Sequence, residues 1–374
     1  MIITDVEALH LRQPGAVDTT IADGSQDALI VRVSTDAGIT GLGEVDSNPT
    51  VIKSIIDAPP SHKTACGLRS LLIGQDPSDI SGLWQRMYRG SLYYGRRGAA
   101  VHAISGIDIA LWDIAGQVAG KPIHQLLGGA RRDRVKAYAS TLMPDTPAEV
   151  KLAVGKQVDD GFEAVKLGWG PLGEDAGRDL ELVTAARAAL GDDRDLMIDI
   201  GKGWADRPDA IETARKLAAL RPYWIEEPFM PDDYGRYLEL AGAVAVPVAA
   251  GEEESTLPDF ERLIDAGGVT VVQPDVTRAG GITETMRICA MALGRGKRPV
   301  THSWSTGVIK AVSLHVLAAL EQAEYFEYCV QTTELNQRLV AEKFPVTDGF
   351  VAVPQGPGLG VRIDEEVLEQ CLVR

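Results

Sequence analysis

Seven polar residues recur along the chain at intervals that suit one strand and one helix each. Lys166, Asp199, Glu226, Glu252, Asp275, His302 and Glu327 each stand at or just past a short apolar run, 23 to 33 residues apart. In a (β/α)8 barrel the C-terminal ends of successive strands lie side by side around one rim, so side chains spaced in this way converge over one mouth. Charged residues often end strands simply because loops begin there, which would account for one or two of them. Seven in succession, one per unit, point to a site. Three of them are carboxylates on neighbouring units and would repel one another unless something positive sat among them. A hard divalent cation with oxygen ligands answers that, and Mg2+ is the favoured ion because a few carboxylates, waters and substrate oxygens satisfy it. Ile198, Ile225 and the run Val248–Gly251 put these acids on buried elements rather than on a solvated face. Alternation alone leaves open whether Glu226 or Glu227 faces the ion, and whether Glu252, Glu253 or Glu254 does.

Asp275 and His302 end neighbouring units. A carboxylate beside an imidazole fixes its tautomer and raises its basicity, which suits proton abstraction near neutral pH. Lys166, after Ala164-Val165, can bind a substrate carboxylate or, with a depressed pKa, move protons. His10, His62, His102, His124 and His315 lack such company and read as surface or packing residues.

The elements that position these residues follow from patterning. Apolar runs at 135–140, 163–167, 195–199, 223–226, 247–250, 269–273, 298–302 and 324–328 predict eight strands alternating with amphipathic helices. One helix is announced by Thr146-Pro147-Ala148-Glu149, a capping box with proline at the first helical position. Before them, residues 1 to about 48 read as strands and 76–129 as helices. From about 345 the chain returns to strand and turn signals that rejoin the first unit. The expected architecture is an α/β fold: a TIM barrel over 130–345, and an α+β cap made of residues 1–129 and the tail 346–374.

Composition narrows the function further. A net charge of −16 and the lack of a basic patch exclude nucleic acid or an anionic membrane face as the main partner. Four widely spaced cysteines without a CxxC pair predict reduced thiols, no run of 18 uncharged apolar residues is present, and Met1-Ile2-Ile3 leads straight into acidic residues. A cytoplasmic protein is expected. Gly356-Pro357-Gly358-Leu359-Gly360 is not a dinucleotide fingerprint, because no βαβ unit follows it; GxxxxGK, HExxH and GxSxG are absent.

Several stretches together resemble the enolase superfamily, specifically its mandelate racemase-like group: Ala103 to Asp113, Trp224-Ile225-Glu226-Glu227-Pro228, Ala250-Gly251-Glu252, Gln273-Pro274-Asp275 with Gly280-Gly281, and Gly356 to Gly360. The resemblance covers nearly the whole chain. It implies Asp199, Glu226 and Glu252 as Mg2+ ligands, Asp275 and His302 as the general-base dyad, and Glu327 as the residue that hydrogen-bonds the substrate carboxylate. It also implies abstraction of the proton α to a carboxylate through a metal-stabilised enediolate, a pattern of Lys or His base with Mg2+ for which enolase-type sites are a general example. Cap loops near 15–25 and 46–52 would close over the mouth and choose the substrate, and symmetric homo-oligomers are the family habit.

Two departures decide between activities. Where many relatives carry Lys-x-Lys, this chain has Lys166-Leu167-Gly168. Where relatives that are sugar-acid dehydratases carry a histidine two residues after the first metal ligand, it has Gly201, followed by Lys202. With His302 as the one clear base, a one-sided reaction is expected: syn dehydration of an acid sugar or other hydroxy acid to a 2-keto-3-deoxy acid. The alternative is a racemase or epimerase using Lys166 and His302, and a third reading is a non-catalytic barrel scaffold. The partner is a small-molecule carboxylate. Tyr93, Tyr94, Arg96 and Arg97 either reach the site from the cap or form a solvated or oligomer-facing cluster.

Overall fold

The computed structural model describes residues 1–15, 18 and 26–374. Three strands, β1 (Ile3–Arg12), β2 (Asp27–Thr35) and β3 (Thr40–Val45), form an antiparallel sheet in sequence order. Alternation buries Val31, Val33 and Val45 on one face, against the helix Ala99–Ala119. The two elements touch backbone to backbone: a Cβ at Gly43 would collide with the Gly106 carbonyl, so only glycine permits this approach. The same helix is long and apolar enough to cross a membrane, yet it carries two buried acids that tie the molecule together. Asp108 accepts from Thr283 N and Oγ1 at 2.9 and 2.6 Å, on the barrel. Asp113 accepts from Leu42 N in β3 at 2.9 Å and from Leu359 N in the tail at 2.8 Å.

Eight strands follow: β4 (Arg134–Leu142), β5 (Ala164–Gly168), β6 (Asp195–Asp199), β7 (Trp224–Glu226), β8 (Val248–Ala250), β9 (Val271–Val272), β10 (Arg298–Pro299) and β11 (Phe326–Cys329). β4 to β10 pair in order, all parallel, and β11 returns to β4: the expected barrel. β9 and β10 are shorter than the runs 269–273 and 298–302 predict, although parallel pairing resumes beyond them, with His302 N donating to the Pro274 carbonyl at 3.2 Å. The helix Pro147–Asp159 begins with the expected capping box, Thr146 N donating to Glu149 Oε2 at 3.0 Å.

One apolar side chain per strand fills the barrel: Tyr138, Ala164, Met197, Trp224, Ala249, Val271, Val300 and Tyr325. Tyr138, Trp224 and Tyr325 meet edge to face with centroids 5.5 to 6.4 Å apart, which adds about 0.5–1.5 kcal/mol per pair beyond area burial. Side chains two residues apart on a strand share a face. The next layer toward the C-terminal rim is therefore Ser140, Lys166, Asp199, Glu226, Gly251, Gln273, His302 and Glu327.

The tail makes two contacts in turn. A hairpin of β12 (Val346–Thr347) and β13 (Phe350–Ala352) adds antiparallel to the first residues of β4, Val351 opposite Val135. The chain then crosses to the cap, where Leu372 bridges Leu11.

Candidate active site

The layer above the aromatic floor is almost wholly polar and almost wholly buried. Lys166, only 3% exposed, is its centre. Its Nζ contacts Glu226 Oε1, lies 2.8 Å from Glu327 Oε1 and 3.6 Å from Asp199 Oδ2. Burial disfavours the ammonium, but Glu226 and Glu327 outweigh it and hold the Lys166 pKa above its ordinary value. The same pairing works in reverse on Glu327: burial favours the neutral acid, but Lys166 and His302 hold it down at about 2.

Asp199, Glu226 and Glu252 each present a carboxylate oxygen within 4.8 Å of the others. Gly201 N donates to Asp199 Oδ1 at 2.9 Å, while Trp224 Nε1 and Gln273 Nε2 hold Glu226 Oε2 at 2.7 and 2.8 Å. The competing glutamates point elsewhere. Glu227, at φ 44°, accepts from Gly251 N at 2.9 Å, and Glu253 pairs with Lys202 at 2.8 Å. Burial and then the Glu226 charge push Asp199 up to about 8. Octahedral oxygens around Mg2+ at about 2.1 Å stand roughly 3 to 4.2 Å apart, so a few tenths of an ångström would bring this cluster onto such an ion. Four buried carboxylates, Glu327 included, against one ammonium also leave room for a dication's charge.

His302 and Asp275 meet on the opposite side of the mouth, Nδ1 to Oδ2 at 2.6 Å. A carboxylate that accepts from the Nδ1–H leaves Nε2 as the reactive nitrogen. Nε2 lies 3.4 Å from Glu252 Oε2. Burial opposes protonation, but Glu252, Glu327 and Asp275 outweigh it and raise His302 to about 10. A cation neutralising Glu252 would remove the first of those charges, which moves the imidazole back toward a useful base.

Of the seven residues expected at the rim, Lys166, Asp199, Glu252 and His302 line a cavity of about 280 Å3, and Glu226, Glu327 and Asp275 contact them from behind. Its walls add residues that sequence patterning missed: Asp46 and Arg278 on the dyad side, Trp304, and Trp169 opposite. The loop 46–52 delivers Asp46; the loop expected over 15–25 lies almost entirely outside the described residues. Tyr93, Tyr94, Arg96 and Arg97 do not line the cavity. Tyr93 is 78% exposed, Tyr94 donates to the Cys66 carbonyl at 2.6 Å, and Arg97 pairs with Asp259 at 3.0 Å, all in the turn between the helices Ile80–Gly90 and Ala99–Ala119. The place of a side chain at 201 is filled by the Trp169 indole, 2.7 Å from where a Cβ would stand. Trp169 and Lys202 both sit at positive φ, 55° and 68°, with the Lys202 ammonium 4.2 Å above the indole, a strained pair of the kind that gathers at functional sites.

The chain is similar to known proteins in sequence and in fold. Residues 3–128 match the N-terminal domain of the mandelate racemase and muconate lactonizing enzyme family, and residues 149–367 match its enolase C-terminal domain-like partner. A D-galactonate dehydratase of Ralstonia pickettii is 35% identical over 354 residues, 91% of this chain and 90% of its own. The 3,6-anhydro-D-galactonate cycloisomerase of Zobellia galactanivorans superposes over 100% of both chains with a TM-score of 0.90 at 32% identity. A racemase of Streptomyces coelicolor, solved with bound magnesium, superposes over 100% of both with a TM-score of 0.87 at 31% identity.

Proposed function

The chain belongs to the mandelate racemase and muconate lactonizing enzyme family of the enolase superfamily, and from that premise we propose that it is a Mg2+-dependent dehydratase of an acid sugar. The observation that carries the reading is the one-sidedness of the mouth. The Asp275–His302 pair presents one imidazole nitrogen, Nε2, on one side, beside Glu252. On the other, Lys166 is locked among Glu226, Glu327 and Asp199 with its pKa raised, and Gly168 stands where a second lysine would be. A racemase needs acid–base groups on both faces of the α-carbon; a dehydratase can work from one. The similarity to D-galactonate dehydratases supports the same choice.

In this reading Asp199, Glu226 and Glu252 hold Mg2+, which when bound supplies the positive charge that stabilises the substrate carboxylate as its α-proton leaves. Lys166 and Glu327 would orient that carboxylate, the ammonium attracting it and Glu327 hydrogen-bonding it through one proton shared between the two carboxyl groups. Asp275 fixes the His302 tautomer. His302 Nε2 takes the α-proton and returns it to the β-hydroxyl on the same face, where the C–O bond breaks and water departs. The resulting enol takes up a proton at the former β-carbon and releases the one on its oxygen to give the 2-keto-3-deoxy acid. The indole of Trp169, occupying the space above Gly201, leaves no room for a second acid from β6.

An NMR screen of acid sugars with Mg2+ in D2O, beginning with D-galactonate, tests this directly. A 2-keto-3-deoxy product is expected. Deuterium entering the α-position with inversion and no water loss would overturn the dehydratase reading in favour of an epimerase. Exchange of neither kind across the panel, with no Mg2+ binding, would favour a non-catalytic scaffold.

A further inference from the structure

The dyad is held from the cap as well as from the barrel. Asp275 is fully buried, and its two oxygens have different duties. Oδ2 faces His302 Nδ1 at 2.6 Å, while Oδ1 accepts from both Thr277 N and Thr277 Oγ1, each at 2.6 Å. A hydroxyl has one proton to give. The main-chain N–H of Asp46 donates to Thr277 Oγ1 at 3.1 Å, which occupies a lone pair of that oxygen and turns its proton toward Asp275. Asp46 is in turn clamped by Arg278, whose Nε donates to the Asp46 carbonyl at 2.9 Å and whose second terminal nitrogen donates to Oδ2 at 2.7 Å. Asp46 closes β3 of the cap, 231 residues from Thr277, so the chain of bonds runs from one region of the molecule into the other.

We propose that Thr277 is a positioning residue for proton transfer, through which the cap segment at Asp46 fixes the Asp275 carboxylate and, through it, the orientation of the His302 ring. A carboxylate with only one partner can rotate about its Cβ–Cγ bond; with Oδ1 doubly bonded to Thr277, rotation would break two hydrogen bonds at once. The ring therefore aims Nε2 at the cavity only while Asp46, Thr277 and Asp275 remain linked. Without the hydroxyl, Oδ1 keeps only the Thr277 main-chain N–H, and Arg278 Nε stands 3.8 Å from Oδ2; the loosened carboxylate lets Nε2 drift, and a misplacement approaching about 1 Å costs about 100-fold in rate. This inference rests on reading Asp275 and His302 as the proton-transferring pair.

Thr277→Val keeps the shape and removes the hydroxyl; Thr277→Ala serves if the extra methyl does not fit beside Asp275; Thr277→Ser restores the donor. With D-galactonate, or the acid sugar that the screen returns in its place, the valine or alanine variant should lose about 10- to 100-fold in kcat with KM within about threefold, and the serine variant should recover most of it. A readout that needs no substrate is the Nδ1–H proton of His302 in the Mg2+-supplemented enzyme, assigned by its loss in His302→Asn. It should exchange with solvent faster in Thr277→Val than in the wild type and return to slow exchange in Thr277→Ser. An unchanged proton signal and unchanged kcat in Thr277→Val would overturn the proposal, as would a loss that serine does not rescue. The two readings fail separately: activity surviving in His302→Ala removes the dyad itself, whereas an inactive His302→Ala beside a fully active Thr277→Val removes only the relay.

Discussion

Two buried histidine pairs in this molecule have opposite electrostatic surroundings. His302 meets Asp275 at 2.6 Å, and the carboxylates around it raise it to about 10. His315, on the helix Gly307–Ala319, meets His124 with Nδ1 to Nδ1 at 3.0 Å and donates from Nε2 to the Leu359 carbonyl at 3.0 Å. Because Nε2 of His315 must carry its proton to reach a carbonyl, its Nδ1 is the acceptor and His124 the donor. Burial, with no carboxylate to oppose it, lowers His315 to about 4. The difference teaches that burial alone silences an imidazole; it is the neighbouring acid that makes one available for proton traffic.

The comparison can be broken most forcefully at His302. His302→Ala should lower turnover by roughly two to four orders of magnitude, measured as product formation on the screened acid sugar, while the fold survives by circular dichroism. An equal loss of activity in His315→Phe would erase the contrast. The next effect is on stability. His315 has a folded pKa below its ordinary 6.5, so the unfolded chain takes up a proton first as the pH falls. Stability is present above pH 6.5 and lost between 6.5 and about 4, by about 3 kcal/mol in all. Denaturant titrations across that window should show the stability difference between the wild type and His315→Phe shifting against the wild type by about that amount as the pH falls. The smallest effect belongs to His124→Leu, which leaves His315 Nδ1 without its donor and should cost about 1–3 kcal/mol at pH 7, with activity unchanged. A neutral outcome there would mean that the pair contributes packing only.

Much of the architecture was legible because it is periodic. Each of the eight expected strand runs overlaps an observed strand, and the interval of one βα unit brought seven polar residues to a single rim. Alternation holds more information than it first yields. Counting two residues on from the inward layer, Trp224 leads to Glu226 rather than Glu227, and Val271 leads to Gln273, which positions Glu226 and was not singled out. The rule fails at β8, where Ala249 leads to Gly251 at φ 140° and the acid comes one residue later at Glu252. That break is a matter of local backbone geometry, which periodicity cannot encode. Thr277, Arg278 and Asp46 escaped for another reason. Their roles come from hydrogen bonds between segments more than 230 residues apart, and no local pattern announces such a partner. Tyr93 and Arg97 were open between the site and the surface; the exposure of Tyr93 and the Arg97–Asp259 pair fit the surface reading, and no local pattern tells how the cap docks on the barrel.

The buried acids that bind cap to barrel have a consequence for the order in which the molecule can be assembled. Glu44 on β3 accepts from Ile309 N at 2.8 Å and from Thr306 Oγ1 at 2.7 Å, satisfying donors at the start of a barrel helix. Asp113 waits for Leu359, 246 residues later. A ribosome adding about 5–20 residues per second needs on the order of ten seconds or more to bridge that gap. Throughout that time the cap sheet and its long apolar helix can pack on each other, since their shared core lies within residues 3–115, but the acids Glu44 and Asp113 lack their donors from the barrel and the tail. The residues made first are thus among the last to be locked to the rest of the molecule.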